Sequence, residues 1–240
     1  PLDVAAAKDH PTGQYIVRLL SFVPGKILHS VPYTKELFFQ VGELVAKTDL
    51  ALAGFKHDGI KGVDRIWNLN AVPKLTDFVY AIEDEQKRSL SVAVIDNFKS
   101  NVLPLLEPLE SGPIHGDFNE QNILVTEEEG QPGKFYLSGI LDFGDVHINF
   151  YLFELAIAIC YMMIECQSMN ILDAPGHVLA GYNRFRLIPD HIVKGLYCSQ
   201  IKSIPCFGCL FLFTKPGSLS VNYVSKRLAM PQDALGLSKR

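Results

Sequence analysis

Two short apolar runs, separated by a charged stretch containing glycine and proline, constrain this chain more than any other feature. Asn122-Ile123-Leu124-Val125 reads as a strand, Glu127 to Lys134 (E-E-E-G-Q-P-G-K) as a turn, and Phe135 to Leu141 as the returning strand. In an antiparallel hairpin the start of one strand lies beside the end of its partner. The residues at that shared end are Asn122 and Asp142. His115 and Asp117 stand just before the hairpin, in I-H-G-D-F-N-E-Q-N-I-L-V, and D-F-G-D closes it at 142–145. The spacing is H-x-D-x-x-x-x-N, followed by a strand that ends in an Asp.

Those residue types suit phosphoryl transfer, which asks little covalent chemistry of a protein. It needs a base near the acceptor hydroxyl and cations that neutralise phosphate oxygens. Asp117 can accept or orient the hydroxyl proton. Asn122 and Asp142 supply hard oxygen ligands of the kind Mg²⁺ shares with substrate phosphates.

The bulk properties narrow the surroundings. The chain has 240 residues, 48% of them hydrophobic, enough for one substantial core or two small ones. A formal net charge of −4 argues against a nucleic-acid surface. Five cysteines, an odd number, and no signal-peptide pattern point to the cytoplasm. Cys206 and Cys209 have C-x-x-C spacing, but no second pair accompanies them to complete a zinc site. The apolar stretches Phe150 to Ile164 and Ile204 to Phe213 fall short of the roughly 20 residues that span a bilayer, so no membrane is expected. The sequence leaves the oligomeric state open.

Along the chain, Gln14 to Phe22 has the β-branched and aromatic content of a strand. Tyr33 to Gly54 carries a helical period, with Thr34 as N-cap and Gly54 as stop. Lys56 to Asn70 reads as a loop that Trp67 anchors on the core. A short helical stretch over Val72 to Tyr80 and a longer amphipathic helix over Glu83 to Leu106 precede the hairpin. Phe150 to Cys166 is a nearly all-apolar helix, which places it in the core behind the site. Beyond Gly181 no helical period is sustained.

Together, I-H-G-D-F-N-E-Q-N-I-L-V and G-I-L-D-F-G-D resemble the aminoglycoside phosphotransferase and choline kinase group of small-molecule kinases. V-R-L-L-S-F-V-P-G at 17–25, I-W-N-L at 66–69, F-E-L-A-I-A-I-C-Y-M-M-I-E at 153–165 and G-H-V-L-A-G at 176–181 support the likeness. The resemblance implies an α+β fold of the protein-kinase type, a mostly helical C-terminal lobe over residues 26–182 with a catalytic-loop hairpin. It implies Asp117 as catalytic base, His115 as a brace for its loop, and Asn122 and Asp142 as holders of Mg²⁺. Ser21, Phe22 and Val23 would form the interlobe hinge, with backbone groups meeting the purine of GTP or ATP. The acceptor it suggests is a small amino alcohol, 5-hydroxylysine ahead of homoserine, choline or an aminoglycoside. Asp145 has no firm role beyond ordering its loop. The thirteen residues before Gln14 hold no glycine-rich loop and no strand lysine, so residues 1–25 read as the remnant of an otherwise missing N-terminal lobe. Residues 183–240 read as a divergent tail. These departures leave a second reading open, a non-catalytic, pseudokinase-like chain.

Overall fold

The computed structural model describes residues 19–166, 170 and 173–188. The hairpin is present: β3 (Ile123–Glu127) and β4 (Phe135–Ile140) pair antiparallel, Ile123 opposite Ile140 and Glu127 opposite Phe135, with an irregularity between Leu124 and Val125. A two-residue strand, β1 (Lys26–Ile27), adds to the other edge of β3 and makes the sheet three-stranded in the order β1-β3-β4.

The strand expected over Gln14 to Phe22 is not found in its described part. Leu19 and Phe22 are 100% and 87% exposed, and the ordered pairing starts only at Lys26. Strand propensity is realised only where a partner edge and a buried face exist, and among the described residues Leu19 to Phe22 have neither. Residues 14–18 of that expectation, and the Cys206–Cys209 pair, lie outside the described residues.

The first long helix, α1 (Lys35–Leu52), matches its sequence signal. Thr34 is the N-cap, its hydroxyl accepting the Leu37 N–H at 3.1 Å. Leu37, Phe38, Val41 and Val45 are buried on one face. The short stretch after Asn68 is a run of 3-10 turns over Leu69–Ala81. α2 (Glu85–Asn101) follows, capped by the Asp84 carboxylate on the Lys87 N–H, and buries Val94, Ile95 and Phe98. α3 (Tyr151–Glu165) fills the main core with Leu155, Ala158, Met162 and Met163. Each large aliphatic side chain fully buried there contributes about 1.5–3 kcal/mol.

Besides β1, two strands and a helix were not foreseen. β2 (Ser111–Ile114) and β5 (His147–Phe150) form a separate two-stranded antiparallel ladder, with Ile114 opposite His147. α4 (Ala174–Tyr182) packs on α1 through two glycines. A Cβ on Gly42 would lie 1.9 Å from the Val178 carbonyl oxygen, and one on Gly181 would lie 1.9 Å from that of Phe39. The helices touch backbone to backbone there, and no side chain fits between them. The fold is α+β, two small antiparallel sheets set among helices.

Candidate active site

The segment from Ile114 to Asn122 leaves β2 and enters β3. Its first turn depends on Gly116, whose φ of +83° is costly for any other residue. A Cβ at Gly116 would also lie 2.6 Å from the Asp145 carbonyl oxygen and 2.9 Å from the His147 ring. The loop that carries Asp117 is thus seated directly on the segment between β4 and β5.

Asp117 is only 4% exposed. Its Oδ1 accepts from the Asn119 amide at 2.9 Å and its Oδ2 from the Asn122 amide at 3.3 Å. Asn122 Nδ2 also donates to the Asp117 carbonyl at 2.9 Å. Asn119 Oδ1 in turn accepts the N–H groups of Gln121 and Asn122, at 2.8 and 3.1 Å. Asn119 was not singled out in the sequence, although it closes this network. Its only signal was its place inside the motif.

His115 is fully buried. Nε2 donates to the Leu141 carbonyl at 2.8 Å, and Nδ1 accepts the Asp117 N–H at 3.3 Å. One donor and one acceptor on the ring describe a neutral imidazole. Phe118 and Phe143 meet it edge-on, at 5.5 and 4.9 Å between centroids. His115 therefore links the loop of Asp117 to the residue immediately before Asp142.

The hairpin brings Asn122 and Asp142 to one end, where Leu141 N–H donates to the Asn122 carbonyl at 2.8 Å. Asp142 has φ +60° and ψ 72°, the one non-glycine residue in the left-handed region among the described residues. Its Oδ1 accepts the Gly144 N–H at 3.1 Å, which stabilises the turn, and the residue is exposed. Asn122 Nδ2 donates to Asp117, so the amide oxygen is the atom of Asn122 that could serve a metal, as could the second carboxylate oxygen of Asp142. Two hard oxygens at one hairpin end fit Mg²⁺ chemically. No group of three or more His, Cys, Asp or Glu is arranged for a metal among the described residues. A metal here would complete its shell from phosphate and water, as Mg²⁺ does in nucleotide sites.

Four further residues hold this site from behind. Glu154, the single charged residue between Tyr151 and Ile164, is fully buried on α3. Its two carboxylate oxygens accept the Gly116 N–H at 3.2 and 3.0 Å. A buried carboxylate in an apolar helix needs a polar partner, so the interruption in that run was the available signal. His147 Nδ1 donates to the Asp145 carbonyl at 2.7 Å, and Asn149 Nδ2 donates to its Nε2 at 3.2 Å. Burial, with the nearby charge of Arg65, pushes His147 down to about 4, so it stays neutral. Arg65 pairs with Asp145 and donates to the Gly144 carbonyl at 3.2 Å.

Glu154 gives a pH prediction. Burial first, and the neighbouring Asp49 second, push its carboxyl up from 4.5 to about 8. The fold then favours the protonated form, so this contribution is complete below pH 4.5 and is lost as pH rises through about 8. His147 acts in the opposite sense only below 6.5, which leaves the range from 6.5 to 8 clean of it. Asp49, raised to about 7 by burial, contributes to the same decline. Thermal melts of Glu154→Gln should lose less stability across that range than wild type. Identical slopes would refute the assignment.

Ser21, Phe22 and Val23 lie in an exposed segment without regular secondary structure ahead of β1. Val23 rests near Gly139 of β4, where a Cβ would stand 3.4 Å from its Cγ1. Val23 is thus at the sheet, on a different segment from the Asp117 loop.

The sequence pattern of the phosphotransferase enzyme family (APH) matches residues 2–188. The chain belongs to that family. Among curated relatives in it, the chain is 39% identical over 173 residues to a hydroxylysine kinase of Bos taurus, covering 70% of this chain and 46% of the relative. It is 40% identical over 189 residues to that of Xenopus laevis, covering 75% and 50%. The chain spans about half the length of the curated relatives it matches. Among solved structures, a microcompartment-associated aminopropanol kinase superposes with TM-score 0.57 at 16% identity, covering 90% of this chain and 65% of that one. The GDP complex of aminoglycoside 2′-phosphotransferase-IIIa superposes with TM-score 0.57 at 17% identity, covering 90% and 69%. At that identity these two show the fold, which is that of kinase-like phosphotransferases. No helix among the described residues is long and apolar enough to cross a membrane.

Proposed function

We propose that this chain carries the catalytic centre of a small-molecule kinase, which moves the terminal phosphate of a nucleoside triphosphate to the hydroxyl of a small amino alcohol. The observation that supports it best is the convergence of Asp117, Asn122 and Asp142 at one end of the β3–β4 hairpin. Family membership and the name shared by the curated relatives point to 5-hydroxylysine as acceptor.

In this reading Asp117 takes the hydroxyl proton as the acceptor oxygen bonds to the terminal phosphorus. The bond from that phosphorus to its bridging oxygen breaks, and the electron pair leaves with the nucleoside diphosphate. Asn119 and Asn122 hold both Asp117 oxygens in place, so the base is positioned before substrate arrives. His115 and Glu154 keep the loop at its height above α3. Asn122 and Asp142 would hold Mg²⁺, which when bound neutralises phosphate oxygens. Backbone groups of Ser21 and Val23, flanking Phe22, would meet the purine.

The test is an acceptor panel of 5-hydroxylysine, homoserine, choline and an aminoglycoside, each with GTP and with ATP, read as phosphorylated product. Transfer to 5-hydroxylysine at the highest kcat/KM supports the reading, with GTP the preferred donor. Preference for another acceptor would overturn the substrate. The non-catalytic alternative draws on one observation, that both Asp117 oxygens are already engaged by amides of its own loop. It predicts no product from any pair and no thermal stabilisation by Mg²⁺ with nucleotide; a stabilisation of a few degrees would count against it.

A further inference from the structure

The segment from Lys56 to Asn68 contains no catalytic motif, yet it reaches the D-F-G-D turn. Arg65 sits 79 residues from Gly144 in sequence and donates through Nη2 to its carbonyl. The same guanidinium forms an ion pair with the Asp145 carboxylate. Its Cζ lies 5.6 Å from the centre of the Trp67 ring, which packs against the main core. The backbone beneath Arg65 is itself tied. Asn68 N–H donates to the Arg65 carbonyl at 2.9 Å, and Asn68 Nδ2 to the Val63 carbonyl at 3.0 Å. Arg65 is thus held on a fixed platform and grips two successive residues of the turn.

Gly144 is consequently clasped from both sides. Its N–H is held by the Asp142 carboxylate and its C=O by Arg65. Asp142 occupies a backbone conformation that residues other than glycine seldom adopt, and that conformation aims its carboxylate. Anything that frees Gly144 lets Asp142 relax towards ordinary backbone and turn that carboxylate away. A guanidinium suits the task because its planar fork serves a carboxylate and a carbonyl together, which a lysine ammonium does poorly.

We propose that Arg65 is a positioning residue for the metal: through Gly144 and Asp145 it orients the Asp142 carboxylate. The proposal rests on the reading of Asp142 as a metal ligand. Partners that orient a ligand in this way typically account for 10–100-fold in metal affinity or activity.

The experiment measures Mn²⁺ binding to the full chain, with a non-hydrolysable nucleotide present, from the loss of the free-ion electron paramagnetic resonance signal. Arg65→Ala and Asp145→Asn should each weaken Mn²⁺ binding by about tenfold or more, with metal-free nucleotide affinity unchanged. Arg65→Lys should recover part of the loss. If Arg65→Ala folds poorly, as its thermal midpoint would show, Arg65→Lys and Asp145→Asn carry the test. Wild-type Mn²⁺ affinity in Asp145→Asn, or an equal loss of metal-free nucleotide affinity, overturns the proposal. Asp142→Asn measured alongside separates two kinds of failure. If it too binds Mn²⁺ like wild type, the metal reading of the hairpin end is wrong. If it does not, only the role of Arg65 is wrong.

Discussion

Asp117→Asn is expected to lower kcat by about 10²- to 10⁴-fold, the usual contribution of a positioned general base, with the acceptor KM little changed. The substitution keeps the side chain's volume and its contact with the Asn119 amide. It replaces one acceptor oxygen by an amide donor, which then faces the Asn122 Nδ2 now 3.3 Å from Asp117 Oδ2. Losing such a bond to a charged group costs about 1.5–3 kcal/mol. That is below the 5–15 kcal/mol that holds a typical domain together, so unfolding would not account for the loss. A rate deficit of the expected size corresponds to about 2.7–5.4 kcal/mol in the barrier. Steady-state kinetics and a thermal melt on the same preparation separate the two effects. A variant that kept the wild-type kcat would remove Asp117 from the chemistry.

Parts of this site were legible because their determinants are local. The hairpin announces itself through two apolar runs and a Gly/Pro turn, and its geometry brings Asn122 beside Asp142 without help from the rest of the fold. The same holds for α1, where the Thr34 cap and the spacing of Leu37, Val41 and Val45 all lie within a few turns. The apolar run of α3 could only be a buried helix.

What escaped was tertiary in origin. The segment of α4, A-P-G-H-V-L-A-G-Y, contains one proline and two glycines, all poor helix formers in a helix interior. It is helical because Gly42 and Gly181 let two backbones meet, a gain that no property of the segment alone reveals. The ladder of β2 and β5 joins Ser-Gly-Pro-Ile to His-Ile-Asn-Phe, neither of which has a strand pattern. The two acquire it by pairing across the base of the Asp117 loop. The reverse applies before β1, where Leu19 to Phe22, the described end of a strand-like run, have no described partner. Arg65 carries no signal of its own in the sequence, since its partners Gly144 and Asp145 lie far away along the chain.

Asp142→Asn should have an effect of similar size by a different route. Asn tolerates the left-handed conformation well, and its side-chain oxygen can still accept the Gly144 N–H. The turn should therefore survive while the negative charge is removed. On the proposed function, what is lost is the anionic group that would draw a divalent cation to the hairpin end, and with it charge stabilisation of several kcal/mol on the transferring phosphoryl group. The most direct measurement is the rate of phosphate transfer to 5-hydroxylysine at saturating nucleotide, followed against Mg²⁺ concentration in wild type and Asp142→Asn. Two carboxamides, at 122 and 142, should then need far more Mg²⁺ and reach a maximal rate lower by roughly a hundredfold or more. Superimposable Mg²⁺ curves, with the same maximal rate, would contradict a metal-dependent phosphoryl-transfer site at this end of the hairpin.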